Sequence, residues 1–157
     1  MPIRNYTSKM SPAQTAGTIQ KLLAEHGAGS VTIDYNGTDA VAISFQMIVN
    51  GSPVWFRLEP DIEGMRRAME GDRKIPQAKC TTEQAARTAW KNELDWLDAQ
   101  LAKVAAGQAR IEQLLLGYAV TQDGQTVWER LHSTGQLLMD PRRQLAESPQ
   151  PEKKEKP

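Results

Sequence analysis

Residues 82–106 read TEQAARTAWKNELDWLDAQLAKVAA, a stretch without Gly or Pro that decides the architecture of the chain. Residues three and four apart share one face of an α-helix, so apolar residues at that spacing predict an amphipathic helix lying on a core. The apolar stripe consists of Ala86, Trp90, Leu94, Leu97, Leu101 and Val104. Thr81 is the predicted N-cap, Gln84 is expected to complete a capping box, and Gly107 is the predicted end.

The residues before this helix predict one shorter helix and three antiparallel strands. Ser11 followed by Pro12 is typical of a helix start, and apolar residues then recur at helical spacing up to Gly27. Strands are predicted at residues 31–35, 40–49 and 54–58, joined by turns at Asn36-Gly37 and Asn50-Gly51. The face of the second strand expected to receive the first helix carries Val41, Ile43, Phe45 and Met47.

The remaining segments predict a helical second half. Asp61 is expected to cap a short helix at residues 62–69, followed by a polar loop at 71–79. Residues 109–120 predict a helix that pairs with the long one, and Thr126 with Glu129 predicts another capping box. The fold class is therefore α+β. We expect an α+β subdomain at residues 1–80, a helical extension packed on it at 81–140, and a disordered tail at 141–157.

Composition favours neither a membrane nor a strongly charged partner. The chain of 157 residues has 19 basic and 19 acidic side chains. Its single cysteine, Cys80, cannot form an internal disulfide, and this fits a reducing, cytoplasmic setting. The N-terminus lacks a signal-peptide core and no apolar run reaches the length of a membrane span, so we expect no membrane association.

Charge is nevertheless unevenly distributed along the chain. Residues 64–92 hold seven basic and three acidic side chains, a net charge of plus four. Residues 93–141 hold three basic and seven acidic side chains, a net charge of minus four. This predicts an electrically polarised molecule, and the alternative is a solvated helical surface of mixed charge.

Sequence motifs give no support for catalysis. The chain lacks nucleophile-elbow, zinc-protease, nucleotide-loop and paired-cysteine motifs, so we predict no enzyme activity, no catalytic residue, no metal and no cofactor. His26 and His132 lie near predicted helix ends, where structural roles are common. A remote alternative is a metal-dependent nuclease that binds Mg²⁺ through Glu59, Asp61 and Glu63, although such carboxylates are more often caps.

Binding is the remaining chemistry, and cationic and aromatic side chains suit it. Cations can neutralise phosphates, and exposed aromatic rings can stack on bases or partners. The candidates are Arg4, Asn5, Tyr6, Lys9, Trp55, Arg57, Arg66, Arg67, Arg73, Lys74, Lys79 and Trp96. Structural alternatives stay open: the N-terminal residues as an edge strand or an arm fixed to the sheet, Trp55 under later helices, and Trp96 in an intramolecular contact.

The predicted element order is topologically similar to that of double-stranded-RNA-binding modules, which also run helix, three-stranded meander, helix. Those modules carry a basic cluster where the helix after the sheet begins. Here that start is acidic, with Glu59, Asp61 and Glu63. The similarity therefore concerns element order alone.

Three stretches of the chain resemble an uncharacterised family of small phage and prophage proteins. They are IRNYTSK at residues 3–9, AWKNELDWLDAQLA at 89–102 and GQTVWE at 124–129. The resemblance implies one shared fold across residues 3–131 and a virus- or prophage-encoded protein in the cytoplasm of a bacterial host. It implies no catalytic residue, cofactor or substrate.

We therefore expect a non-enzymatic phage accessory protein that binds nucleic acid, or a host or phage nucleic-acid-processing protein, in phage DNA metabolism or counter-defence. The alternative is a protein-interaction module without nucleic-acid contact, acting as an inhibitor or a homo-oligomer. The sequence does not distinguish these two classes.

Overall fold

A computed structural model describes residues 1–134, which form an α+β fold with a three-stranded antiparallel sheet. The helices are α1 (Pro12–Glu25), α2 (Ile62–Gly71), α3 (Thr82–Ala105), α4 (Ile111–Leu115) and α5 (Val127–Thr134). The strands are β1 (Ser30–Asn36), β2 (Asp39–Val49) and β3 (Ser52–Leu58). Short 3₁₀ turns occupy Gln77–Lys79 and Leu116–Tyr118.

Helix starts follow their predicted caps, with one exception. Ser11 and Gln14 form a reciprocal capping box at the start of α1, at 3.0 and 3.2 Å. At the start of α3, Thr81 Oγ1 accepts from the backbone N–H of Gln84 at 3.1 Å, as predicted. The predicted return bond from Gln84 is wrong, because its side-chain amide donates to the carbonyls of Tyr6 and Ser8 instead.

The sheet is a meander in the order β1-β2-β3. Its second hairpin turns at Asn50 and Gly51, whose φ angles of 50° and 79° match the left-handed backbone that a two-residue turn between twisted strands requires. Ile43, Phe45 and Met47 lie buried on one face of β2, as predicted. Val41 does not join this row, because a bulge pairs Asp34 with Ala42 and Tyr35 with Ala40 and leaves Val41 unpaired.

Helices α1 and α3 cover the same face of the sheet and share one core with it. Trp90 of α3 is fully buried, and its indole N–H donates to the Ala40 carbonyl at 3.2 Å. The predicted stripe of α3 is buried from Trp90 to Leu101, whereas its end residues Ala86 and Val104 are only half-buried. The second helix on the sheet is therefore α3. Helix α2, which directly follows the sheet in the chain, packs on α3 and not on the sheet.

A second, smaller cluster lies between α2, the start of α3 and the N-terminal residues. Met69, Ile75, Cys80 and Ala85 are its buried members, and Ile3, Tyr6, Ile62 and Met65 pack around them. Residues 71–79, predicted as a polar loop, are thus anchored by the buried Ile75. The predicted boundary at residues 80 and 81 falls between α2 and α3, two helices whose side chains are in contact.

The helix predicted at residues 109–120 is wrong in length, because α4 ends at Leu115. The chain then turns to join the edge of β3, where the Val120 N–H donates to the Trp55 carbonyl at 2.8 Å. A five-residue helix cannot form the expected antiparallel pair with α3. The capping box of Thr126 and Glu129 is confirmed and opens α5. The tail predicted at residues 141–157 lies outside the described residues.

Candidate binding surfaces

The N-terminal arm, residues 3–8, is fixed to α3 and not to the sheet. Its anchor is Asn5, whose side-chain amide donates to Asn92 Oδ1 at 2.7 Å and Asp95 Oδ2 at 2.9 Å. Thr88 Oγ1 donates to the Asn5 carbonyl at 3.3 Å. Together with Gln84, these residues form a polar row along α3 that supplies the donors and acceptors of the arm.

Two ion pairs meet at Asp95, the last residue of this polar row. Arg4 Nε lies 3.3 Å from Asp95 Oδ2, and Lys91 Nζ lies 2.6 Å from Asp95 Oδ1. Partial burial opposes ionisation of Asp95, but the hydrogen bonds from Lys91 and Asn5 outweigh it and hold the pKa of this carboxyl below its ordinary value. The Asn5 side chain is occupied within the chain, Tyr6 is half-buried, and Arg4 and Lys9 are exposed.

The arm lies next to the basic residues that follow α2. The Ile3 N–H donates to Asp72 Oδ2 at 3.1 Å, and Asp72 Oδ1 accepts from the backbone N–H of Lys74 at 2.9 Å. One carboxylate therefore connects the backbone of residue 3 to that of residue 74. The arm and the segment after α2, two regions distant in sequence, meet at Asp72.

Four cations of this region are exposed and form no ion pair with any residue between 1 and 134; they are Arg67, Arg73, Lys74 and Lys79, called here the basic segment. Arg66 differs from them. It pairs with both Glu63 and Glu70, and these carboxylates raise the pKa of its guanidinium. Its charge is neutralised within α2, whereas the charges of the basic segment face solvent.

Trp55 and Arg57 lie on the opposite side of the sheet from the core, because Phe56 between them is fully buried. Arg57 bonds to Asp34 at 2.7 Å and pairs with Glu59 at 3.5 Å. The hydrogen bond that Arg57 donates to Asp34 is the main cause of the raised pKa of Arg57. This outer face is therefore polar, with its one arginine already paired and the Trp55 ring half-buried beside it.

Trp96 packs against the main core, and its ring centroid lies 5.3 Å from that of Tyr118. Glu93, one turn earlier on α3, has no hydrogen-bond partner in residues 1–134. Burial raises its pKa. The pKa of Tyr118 is raised too, first by burial and then by the charge of Glu93. The carboxylate of Glu93 is thus partly desolvated without compensation.

The three carboxylates of the nuclease alternative have separate structural partners. Glu59 pairs with Arg57, Glu63 pairs with Arg66, and Asp61 caps α2 by accepting from the Gly64 N–H at 2.8 Å. In the described part of the chain, no three potential metal ligands lie close enough together to hold an ion.

A third surface escaped the sequence analysis. Four large apolar side chains near the end of the described chain are exposed: Leu116, Tyr118, Trp128 and Leu131. Trp128 is 53% exposed and stacks on His132 with ring centroids 5.1 Å apart. The spacing of three residues between Trp128 and Leu131 was visible in the sequence, but burial of that face of α5 was the natural expectation.

No model of a known protein family, no curated protein and no solved structure matches this chain. No helix within residues 1–134 has the length and apolar character needed to cross a membrane.

Proposed function

We propose that this protein is a non-enzymatic, phage- or prophage-encoded accessory protein that binds nucleic acid, alone or within a nucleic-acid-processing complex, in phage DNA metabolism or counter-defence. The basic segment is the observation that carries the proposal. Its four cations are exposed and lack ion-pair partners in the described chain, and the backbone of the arm is bonded to Asp72 within the same region.

The physical argument concerns counterions. Cationic side chains that contact phosphates release the ions condensed on the nucleic acid, so affinity falls steeply as salt rises. The anchoring of Met69, Ile75 and Cys80 in the second cluster supports an ordered presentation of these cations. Ordered cations lose less conformational entropy on binding than those of a mobile tail.

Fluorescence anisotropy with single- and double-stranded oligonucleotides at two salt concentrations tests the proposal. The double variant Arg73→Gln/Lys74→Gln should weaken binding and lower the salt slope by about 2, one unit for each lost phosphate contact. Lys21→Gln/Lys103→Gln is the matched control, because it removes the same charge from exposed lysines on α1 and α3. Equal weakening by both variants, or no binding at low salt, would reject a specific role for the basic segment.

The second candidate is a protein-interaction module, which the exposed side chains of Trp128 and Leu131 favour. Apolar groups of this size are common at the centres of protein interfaces. Trp128→Ala should then reduce binding to a purified candidate partner from infected cells, while Trp128→Phe retains more of it. Unchanged affinity in Trp128→Ala argues against this surface.

A further inference from the structure

The outer edge of β1 has no partner in the described part of the chain. β1 pairs with β2 on one side, and its seven residues make no other backbone hydrogen bond to residues 1–134. Natural proteins usually protect such edges with Lys, Pro or a covering segment. β1, with the sequence SVTIDYN, has neither Lys nor Pro, whereas the opposite edge of the sheet is covered by residues 119–120. An open edge of this kind accepts another extended strand.

We propose that β1 pairs antiparallel with β1 of a second copy of this chain, about a two-fold axis at Ile33. This register places Ile33 opposite the partner's Ile33 and Val31 opposite the partner's Tyr35. Val31 and Ile33 are only half-buried although they face the core, and Tyr35 is 52% exposed. Pairing therefore places apolar side chains against each other on the core side.

The other side of the strand is complementary under the same axis. Thr32 falls opposite the partner's Asp34, so a hydroxyl donor meets a carboxylate acceptor. Asp34 is the only charged residue of β1, and it never lies opposite its own copy in this register. Like charges directly opposite each other would destabilise the pair, and this arrangement avoids them.

Helix α1 lies over β1 and β2, so the side of α1 that faces away from α3 lies above the free edge of β1. The flank towards α3 carries Thr18, Lys21, Leu22 and Glu25 around a shared groove. At 100° per residue, the opposite flank consists of Ala13, Gly17, Gln20 and Ala24, all exposed and uncharged. Small, uncharged residues allow two helices to approach closely.

Within residues 1–134, nothing requires glycine at position 17. Gly17 lies inside α1 without a positive φ, and a Cβ added there would meet no atom of the described residues within 4 Å. Glycine in a helix interior costs about 1 kcal/mol relative to Ala. Contact with a second helix gives this glycine a role that the monomer does not.

Simple geometry brings the two α1 helices into contact. Strands are about 4.8 Å apart, so helices lying above the β1–β2 boundary in each copy would be about 10 Å apart, close to the usual packing distance of 8–10 Å. Measured along the strand, Ile33 lies about 10 Å from the start of β1. Measured along the helix, Gly17 lies about 12 Å from the end of α1, which the following turn joins to the start of β1. Gly17 is therefore nearly level with the two-fold axis.

The expected contact is small. A seven-residue strand about 23 Å long and a strand-plus-helix height of about 20 Å enclose about 460 Å² per copy, or about 900 Å² in total. Interfaces below about 1,200 Å² belong to the weak or transient class. We therefore expect a reversible dimer with a micromolar dissociation constant.

Sedimentation equilibrium of the full chain from about 1 to 300 µM tests the proposal over the range of a micromolar Kd. Gly17→Glu places two carboxylates near the axis and should raise the dimer Kd at least about tenfold. Gly71→Glu is the matched control, because Gly71 is also a helical glycine with open space around it and the charge change is the same. Circular dichroism checks that each variant folds.

Tyr35→Lys provides an independent second variant, because Tyr35 is exposed and a lysine there protects the edge. It should also weaken the dimer at least about tenfold. A wild-type protein that is monomeric throughout the range overturns the proposal. A dimer that Gly17→Glu and Tyr35→Lys leave intact, or that Gly71→Glu weakens equally, overturns it as well.

Discussion

Asp95 and Glu93 lie two residues apart on α3, yet they occupy contrasting environments on opposite sides of the helix. Asp95 accepts hydrogen bonds from Asn5 and Lys91, and its pKa is lowered. Glu93 lies beside Tyr118 without a partner in the described chain, and its pKa is raised by burial. Half-burial of a carboxylate on α3 is therefore offset at Asp95, to which Asn5 and Lys91 donate, and is not offset at Glu93 within the described chain.

The largest expected effect is loss of the arm's main hydrogen-bond donor. Gln84→Ala leaves the carbonyls of Tyr6 and Ser8 without their donor, and the free energy of unfolding should fall by about 2–4 kcal/mol. Urea denaturation measures the loss. Gln100→Ala is the control on the same helix, because no hydrogen bond of its side chain is seen in the described chain. Since Ala is the better helix former, helix propensity cannot cause a loss in either variant. Equal losses in both variants would mean that truncation of a glutamine side chain on α3, and not loss of the bonds to the arm, causes the effect.

Asp95→Asn tests the satisfied side of the comparison through its pH dependence. It should lower the free energy of unfolding by about 1–2 kcal/mol at pH 7, because charge-assisted hydrogen bonds are lost. Since the folded pKa of Asp95 is lowered, its carboxylate stabilises the fold above the unfolded-state pKa of about 3.9. This stabilisation is lost as pH falls through the folded pKa. Thermal unfolding at several pH values tests this.

The matched control for Asp95 is Asp98→Asn, an exposed carboxylate on the same helix without an ion pair in the described residues. Its unfolding free energy should change by less than about 0.5 kcal/mol. A loss in Asp95→Asn that persists unchanged at low pH would contradict an electrostatic origin.

Glu93→Gln tests the unsatisfied side and should act in the opposite direction. Replacement by a neutral isostere should raise the free energy of unfolding by about 1 kcal/mol at pH 7, because a partly desolvated charge is removed. Because the folded pKa of Glu93 is raised, protonated Glu93 does not destabilise the fold below the unfolded-state value of about 4.3. That part of the stability is lost as pH rises through the folded pKa. The gain should therefore vanish at low pH. Destabilisation at pH 7 would reveal a partner for Glu93.

The smallest expected effect belongs to Arg4. Its side chain is 78% exposed, although it lies 3.3 Å from Asp95. Solvent screens such a pair, so Arg4→Ala should lower the free energy of unfolding by less than about 0.5 kcal/mol. A larger loss in chemical denaturation would show that this ion pair stabilises the docked arm in addition to Asn5.

Local signals in the sequence predicted most elements of the fold. The Ser11-Pro12 start, the Asn50-Gly51 hairpin and the Thr126–Glu129 capping box each depend on neighbouring residues, and all three are confirmed. Burial of Trp90 was also predictable, because its position in the 3.6-residue repeat of α3 places it on the face that packs in the core. These features require no knowledge of distant parts of the chain.

The incorrect predictions depend on long-range contacts. Gln84 gives its amide to the arm, 76 and 78 residues away, so no local rule could have removed it from the capping box. The helix after Gly107 ends early because Val120 joins the edge of β3. The contact of the arm with the segment after α2 likewise depends on the Ile3–Asp72 bond and has no signature in the sequence.

The docking of the arm on α3 has a consequence for synthesis on the ribosome. Asn5 bonds to Asn92 and Asp95, which follow it by 87 and 90 residues. At about 5–20 residues per second, translation needs about 4–18 s to produce those partners after Asn5 itself. During that interval the β meander can form, because its contacts are local, while the arm remains undocked until its partners on α3 exist. The arm is therefore among the last parts of the described fold to reach its final position.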